Sequence, residues 1–98
     1  MLTVRKIAYA RPGRHSDGNG LYLLVKPSGS KSWVLRVQHN GDRRDFGIGT
    51  AVIEPIAAEI PIYKRKSLTL AQAREKSRIG RELAKAGINP SLHWRAED

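Results

Sequence analysis

The stretch Trp33-Val-Leu-Arg-Val-Gln-His39, Asn40-Gly41, Asp42-Arg-Arg-Asp-Phe-Gly-Ile48 decides the fold. Two alternating runs flank an Asn-Gly dipeptide, which is the strongest local signal for a β-hairpin with a two-residue type I′ turn. That turn sets the register of the two strands: His39 faces Asp42, Gln38 faces Arg43, Arg36 faces Asp45 and Leu35 faces Phe46. One side of the hairpin is then apolar, and the other is polar and basic.

A further strand precedes the hairpin. Residues 21–26 alternate in character and follow the turn-forming sequence Asp17-Gly-Asn-Gly20. Because successive side chains point to opposite sides of a strand, a three-stranded antiparallel sheet acquires a core face and an open face. The core face contains Leu21, Leu23, Val25, Trp33, Leu35, Val37, Phe46 and Ile48. The open face contains Tyr22, Leu24, Lys26, Val34, Arg36, Gln38, Arg43 and Asp45.

Residues 70–86 are predicted to form a helix that covers the core face. Thr69 and Gln72 have the spacing of a capping box, and Gly87 before Ile88 is typical of a Schellman ending. Small and apolar residues share the side expected to pack on the sheet: Leu70, Ala73, Ser77, Gly80, Leu83 and Ala84. The helix cations are expected to point away from it: Arg74, Lys76, Arg78, Arg81 and Lys85. The predicted fold class is α+β in the order β-β-β-α, within one domain of residues 1–90.

Three segments lie outside this pattern. Val4 and Ile7 have helical spacing near the N-terminus, before the breaker Pro12. Residues 50–66 contain two prolines, which argue against one continuous helix and predict a loop insertion. Residues 91–98 are interpreted as a tail or as the start of a linker to core-binding and catalytic domains absent from this sequence.

The composition narrows the classes of partner. The chain has 98 residues and a net charge of +9, which favours a polyanion such as nucleic acid. No apolar run approaches the roughly 20 residues of a membrane span, and no signal peptide is evident, so we expect no membrane partner. The absence of cysteine fits a reducing compartment, and we expect a cytoplasmic protein.

The sequence contains no recognisable catalytic or metal-binding constellation. His15, His39 and His93 lack ligand spacing, and no nucleophile, base and orienting group can be assigned together. Phe46-Gly-Ile-Gly49 is interpreted as a strand end, because it does not open a glycine-rich turn into a helix. We therefore expect no metal, no cofactor, no small-molecule substrate and no catalysis by this chain.

A family resemblance emerges from the order of several short motifs. They are Pro12-Gly-Arg-His-Ser-Asp17-Gly-Asn-Gly20-Leu-Tyr-Leu23, Pro27-Ser-Gly-Ser-Lys-Ser-Trp33, Asn40-Gly-Asp-Arg-Arg44, Phe46-Gly-Ile-Gly49 and Leu70-Ala-Gln-Ala-Arg74. This series resembles the N-terminal arm-type DNA-binding domain of phage-type integrases of the tyrosine recombinase class. The resemblance implies binding to the arm sites of attachment DNA, with the sheet in the major groove. It also implies that other domains and protomers of a recombinase are partners, and that catalysis belongs to the parent protein.

The residues expected to contact DNA follow from the open face and one basic run. They are Tyr22, Lys26, Val34, Arg36, Gln38, Arg43, Lys64, Arg65 and Lys66. Arginine and glutamine in a groove can form bidentate contacts with guanine and adenine, although a polar sheet face can also simply be solvated. The run Lys64-Arg65-Lys66 is either a phosphate clamp or a solubilising loop.

Two other functions remain open at the level of sequence. Small basic α+β domains also bind structured RNA through its shape and 2′-hydroxyl groups. Alternatively, a sheet edge or the apolar residues within 50–63 could dock the rest of the recombinase or a neighbouring protomer.

Overall fold

The computed structural model describes residues 1–39, 41–53 and 67–90. These form helix α1 (Val4–Ala8), strands β1 (Gly13–Gly18), β2 (Leu21–Val25), β3 (Lys31–His39), β4 (Asp42–Ala51) and β5 (Ser67–Leu68), and helix α2 (Leu70–Lys85). The strands make one sheet in the order β1-β2-β3-β4-β5. Neighbours are antiparallel except β4 and β5, which run parallel.

The α+β class is confirmed, but the prediction of a three-stranded sheet is wrong because a strand is added at each edge. Strand β1 (Gly13–Gly18) has no apolar side chain, and most of its residues are exposed. It therefore lacks the apolar alternation that reveals a half-buried strand. Strand β5 has two residues, which is too short to show any period.

The predicted register of the β3–β4 hairpin is confirmed at each of its four pairs, from His39 opposite Asp42 to Leu35 opposite Phe46. Beyond them a β-bulge intervenes, because Val34 pairs with Gly47 whereas Trp33 pairs with Gly49. Ile48 is the extra residue, and its side chain still enters the core with 3% of its surface exposed.

A second two-residue hairpin joins β1 to β2. Asn19 (φ 54°) and Gly20 (φ 84°) both have positive φ, as a type I′ turn requires. Gly20 also approaches another strand, because its carbonyl accepts a hydrogen bond of 2.7 Å from the Arg36 backbone N–H. A Cβ at position 20 would overlap the Arg36 carbonyl oxygen. Only glycine fits this junction of the two hairpins.

Helix α2 begins at Leu70, as predicted, and ends at Lys85, one residue before the predicted end. Thr69 and Gln72 form the reciprocal capping box, and Gly87 (φ 80°) follows the last turn. The Schellman pair is present: Ile88 N–H donates to the Leu83 carbonyl at 2.9 Å and Gly87 N–H to the Ala84 carbonyl at 3.1 Å. The helical spacing of Val4 and Ile7 corresponds to α1, a helix that the predicted β-β-β-α order did not include, and Ile7 joins the core.

The core lies between α2 and one side of the sheet, which we call the inner face. It is built around Trp33, Leu21, Leu23, Leu35 and Leu68, each at most 1% exposed. The Trp33 indole N–H donates to the Leu68 carbonyl at 2.9 Å, which ties β5 to the centre of the sheet. Trp33 is thus a core residue, as predicted.

The prediction that all the helix cations point away from the sheet is wrong for Lys76 and Arg74. Lys76 is 5% exposed, and its ammonium donates at 2.9 Å to the carbonyl of Ile48, the bulged residue without a register partner. Arg74 reaches the buried Asp17 of β1, with Nε and Nη2 each 2.9 Å from a carboxylate oxygen. Both cations serve polar groups that irregularities in the sheet leave buried, and helical periodicity carries no sign of either.

The loop predicted for residues 50–66 begins later than expected. Thr50 and Ala51 belong to β4 and pair in parallel with Ser67 and Leu68, and Val52 N–H donates to the Leu68 carbonyl at 3.0 Å. The loop assignment for 54–66, including Lys64, Arg65 and Lys66, lies outside the described residues. The predicted tail, residues 91–98, lies outside them too.

Candidate nucleic-acid interface

The side of the sheet opposite α2 presents a polar and basic surface, which we call the outer face. Strand pairing places the same-side residues of four strands there: Arg14 and Ser16 of β1, Tyr22 and Leu24 of β2, Val34, Arg36 and Gln38 of β3, and Arg43 and Asp45 of β4. Both described helices send their buried side chains into the inner-face core. Within the described part of the chain, neither helix covers the outer face.

Arg36 and Asp45 form the most ordered group on this surface. The Arg36 Nε donates to one carboxylate oxygen of Asp45 at 2.7 Å, and Nη2 donates to the other at 3.1 Å. The hydrogen bonds from Arg36 lower the pKa of Asp45 to about 2, and the same carboxylate raises the pKa of the Arg36 guanidinium. Both side chains therefore stay ionised at neutral pH.

Tyr22 lies beneath this pair. Its hydroxyl donates to Asp45 at 2.8 Å, and the guanidinium carbons of Arg14 and Arg36 each lie 5.4 Å from its ring centre. Burial, and next the bond to Asp45, raises the pKa of the Tyr22 hydroxyl. Because the residue is only 8% exposed, Tyr22 supports the surface and does not offer its ring for stacking on bases.

The geometry leaves one edge of the Arg36 guanidinium available. A guanidinium carries five N–H donors in a planar fork. Asp45 occupies the edge formed by Nε and one N–H of Nη2. The opposite edge, formed by Nη1 and the second N–H of Nη2, can still donate two parallel hydrogen bonds. That arrangement suits the O6 and N7 acceptors of guanine or the oxygens of a phosphate.

The structure distributes the other predicted contact residues unevenly. Gln38 and Arg43 face each other across the β3–β4 hairpin, and both are exposed. Val34 is half-buried opposite Tyr22, and Leu24 is half-buried opposite Ser32. Lys26 is exposed but follows β2 in the turn to β3, where its backbone N–H donates to Ser30. Lys64, Arg65 and Lys66 lie outside the described residues.

Sequence reasoning missed Arg14 and Ser16, because the strand that carries them was not predicted. Both are exposed, and both lie on the outer face beside Leu24 and Tyr22. A signal was available: Asn19-Gly20 is the same dipeptide that predicted the hairpin at 40–41. Read as a hairpin turn, it requires a strand before Asn19 as well as after it.

Other kinds of site find little support in the described residues. They contain no group of three or more His, Cys, Asp or Glu side chains able to hold a metal ion. The His15 ring is 2.7 Å from the Arg11 carbonyl oxygen. Neither α1 nor α2 has the length and apolar character needed to cross a membrane.

A small α+β domain whose described helices leave a basic sheet face open has the kind of surface with which β-sheet proteins bind nucleic acid. Comparison with known families defines the class further: the model of the arm DNA-binding domain matches residues 2–97, and the chain belongs to this family. The chain is thus a DNA-binding domain of the kind that phage integrases carry.

Similar proteins are named as integrases. The chain is 36% identical over 94 residues to the integrase of Shigella phage Sf6, covering 92% of this chain and 21% of that protein. The same identity and coverage are found with prophage integrase IntS of Escherichia coli (strain K12). The integrase of Enterobacteria phage P4 is 30% identical over 95 residues, with 93% and 19% covered. The chain thus spans about a fifth of the length of these relatives.

Proposed function

We propose that this domain binds the arm sites of attachment DNA sequence-specifically, with its outer face in the major groove. It would do so as the N-terminal module of a site-specific integrase of the tyrosine recombinase class. Catalysis would belong to the rest of that protein, whose other domains and protomers are the proposed protein partners. The observation that carries the proposal is the geometry of Arg36: a carboxylate holds this arginine on a sheet face that neither described helix covers, and the edge of its guanidinium opposite Asp45 has two N–H donors.

The shape of the sheet suits the groove. Strand β2 pairs with β3 only as far as Leu35, so the hairpin from Arg36 to Asp45 continues as a two-stranded ribbon. Neighbouring strands are about 4.8 Å apart, and the major groove is about 12 Å wide. A two-stranded ribbon therefore fits inside the groove, and it presents Arg36, Gln38 and Arg43 towards the bases.

Each of these side chains has a matching hydrogen-bonding group on DNA. Arg36 can form a bidentate contact with guanine, and Gln38 can do the same with adenine. Arg43 is exposed next to Gln38 and can reach either a base edge or a phosphate. Lys26, Lys64, Arg65 and Lys66 are proposed to contact phosphates, which adds affinity without sequence information. Val34 would make an apolar contact with a thymine methyl group.

The role of Asp45 is to orient Arg36. A free arginine side chain loses rotamer freedom when it binds a base, whereas Arg36 is already held at two points by Asp45 and rests on Tyr22. The bound carboxylate also neutralises the charge of Arg36, so that Arg36 contributes direction and not general attraction to phosphate. This arrangement favours discrimination between sequences.

The test separates the guanidinium fork from its charge. A preferred duplex is selected from a randomised pool, and its affinity is compared with that of a scrambled duplex by fluorescence anisotropy over a salt series. Arg36→Lys keeps the charge but loses the planar fork. We expect the preference for the selected duplex to fall by roughly 5- to 150-fold, the range of one good bidentate contact. The salt dependence should change little.

Arg78→Lys is the matched control, because Arg78 is an exposed arginine that also pairs with a carboxylate but lies on α2. The Arg78→Lys variant should prefer the selected duplex over the scrambled one as strongly as the wild type does. An equal preference in wild type and Arg36→Lys would refute the proposal. Efficient displacement of the DNA by duplex RNA of the same sequence would instead favour recognition of RNA by shape.

A further inference from the structure

A shallow depression on the outer face extends from Arg36 to residues of β1 that the base contacts proposed above do not use. It measures about 270 Å³ and is lined by Arg14, Ser16, Gly20, Tyr22 and Arg36. Arg14 and Ser16 lie on the same side of β1, and Arg14 rests against the Tyr22 ring. The depression therefore combines an arginine fork, a hydroxyl group and a rigid aromatic floor.

We propose that this depression binds one phosphodiester group of the DNA backbone through Arg14 and Ser16. The contact would add affinity for the duplex beside Arg36 and would carry no sequence information of its own. The inference rests on the proposed function and assigns a different task to a different strand of the same face: β3 and β4 read bases, and β1 holds the backbone.

The distances across the sheet separate these tasks. With strands about 4.8 Å apart, β1 lies about 12 Å from the midline of the β3–β4 ribbon. The half-width of the major groove is about 6 Å. When the ribbon occupies the groove, β1 therefore lies outside it, above the sugar-phosphate backbone. The Arg14 guanidinium lies over Tyr22 of β2, about 7 Å from that midline, so it meets the rim of the groove, where the phosphates lie, and not the base edges in its floor.

The charges within the depression also favour a monoanion. The carboxylate of Asp45 neutralises Arg36, whereas Arg14 forms no ion pair within the described residues. The group of Arg14, Arg36 and Asp45 thus has one positive charge in excess. A phosphodiester has one negative charge and two oxygens that accept a bidentate arginine.

The site is built before DNA arrives. Strand pairing puts Arg14 beside Leu24 and Arg36 beside Gly20, so the two arginines approach Tyr22 from opposite ends of β2. Both guanidiniums lie at the same distance, 5.4 Å, from the ring centre. Tyr22 thereby holds the phosphate-binding arginine and the base-reading arginine at a set separation, so that a phosphate and a base edge can be contacted together.

The first experiment measures salt dependence with Arg14→Ala. Loss of one phosphate contact lowers the slope of log K against log salt by about 0.9. A fourfold rise in salt should then weaken Arg14→Ala about 3.5-fold less than the wild type. The ratio of affinities for the selected and scrambled duplexes should stay unchanged, and Arg14→Lys should restore most of the slope. The charge-matched control Arg78→Ala should leave slope and ratio as they are.

The second experiment locates the phosphate. Each phosphate of the selected duplex is replaced in turn by an uncharged methylphosphonate, and binding is measured with wild type and Arg14→Ala. At one position the methylphosphonate should weaken binding of the wild type but should scarcely weaken binding of Arg14→Ala any further. The reason is that the methylphosphonate and the substitution each remove the same contact. The same non-additivity should appear, more weakly, with Ser16→Ala.

The outcomes distinguish this site from the proposed function. If the two changes add at every phosphate, or if Arg14→Ala alters the ratio between duplexes, the phosphate site is refuted. The base-reading role of Arg36 would still stand if Arg36→Lys reduces that ratio. If Arg36→Lys has no effect while the methylphosphonate position is found, the phosphate site stands and the base contact is refuted.

Discussion

Replacing Arg74 should destabilise the domain far more than replacing Arg78, although both arginines lie on α2 and touch a carboxylate at short distance. Arg74 is 2.9 Å from Asp17, whose side chain is 5% exposed, whereas Arg78 is 2.6 Å from Glu75, whose side chain is 49% exposed. The Asp17 carboxylate also accepts a hydrogen bond of 2.9 Å from the Leu2 backbone N–H. One ion pair therefore joins the N-terminal segment, β1 and α2, and the other lies on the surface.

The size of the effect follows from burial. Removing one partner of a buried ion pair costs about 3–5 kcal/mol, because the other charge is left without compensation. The Arg74 side chain is 39% exposed, so water can partly replace it. We therefore expect Arg74→Ala to lower the free energy of unfolding by roughly 2–3 kcal/mol. For a domain of this size that is a fall in Tm of roughly 10–20 °C.

The assay is urea and thermal unfolding followed by circular dichroism, with Arg78→Ala as the control. Surface pairs contribute little, so Arg78→Ala should unfold close to the wild type. Arg74→Lys can restore part of the three hydrogen bonds that Arg74 donates, two to Asp17 and one to the Leu2 carbonyl, and should lie between the wild type and Arg74→Ala. Equal destabilisation by Arg74→Ala and Arg78→Ala would refute the reasoning from burial.

The same pair predicts a dependence on pH. The hydrogen bonds from Arg74 lower the pKa of Asp17 below its ordinary value. A lowered folded-state pKa contributes stability that is complete above the unfolded carboxyl pKa of about 3.9 and is lost as pH falls through the folded value. The difference in stability between wild type and Arg74→Ala should therefore shrink as the pH falls below about 4. A difference that stays constant down to pH 2 would contradict this assignment.

Two further predictions concern the junction of the hairpins and the orientation of Arg36. Gly20→Ala should lower the free energy of unfolding by about 2–4 kcal/mol, because strain at positive φ adds to overlap with the Arg36 carbonyl. Gly29 has a similar φ of 91° but lies in open space, so Gly29→Ala should lower the free energy of unfolding by the strain alone. Equal unfolding midpoints for the two variants would refute the overlap. Asp45→Asn should reduce the preference for the selected duplex, because Arg36 loses the carboxylate that orients it. It should also steepen the slope of log K against log salt by up to about 0.9, because the charge of Arg36 is no longer neutralised. Anisotropy titrations that show an unchanged preference would contradict the orienting role.

The parts of the fold that the sequence predicts are those where a local rule and the core pattern agree. Asn40-Gly41 lies between two alternating runs, so turn and strand signals support one register, and the register is found. At α2 the capping box, the small-residue stripe and Gly87 likewise agree. In each case the information is contained in neighbouring residues.

The strands at the edges of the sheet could not be read in the same way. Strand β1 is polar along its length, because its outer side meets solvent and its partner supplies the backbone hydrogen bonds. Strand β5 exists only because residues distant in the sequence pair with the end of β4. Of the two, β1 was recoverable from Asn19-Gly20, whereas β5 shows no local signal.

The candidate interface was predicted only in part, because only some of its residues lie on elements with a local sequence signal. The register placed Arg36, Gln38 and Arg43 on one face correctly, since that inference used only the hairpin. It could not show that Tyr22 is buried beneath two guanidiniums, because one of them comes from the unpredicted β1. Nor could helical periodicity identify Arg74 and Lys76 as partners of buried polar groups, whose positions depend on a bulge in β1 and one in β3–β4.

The central claim is that the outer face lies against duplex DNA while the α2 side stays free. Nuclear magnetic resonance of the isotopically labelled domain, titrated with the selected duplex, tests it most directly through the backbone amides and the arginine Nε groups. We predict the largest changes at Arg14, Arg36 and Arg43, with Arg36 Nε shifting differently on selected and scrambled duplexes, and little change at Arg78 on α2. Changes concentrated on α2, with the arginines of the outer face unmoved, would contradict the account.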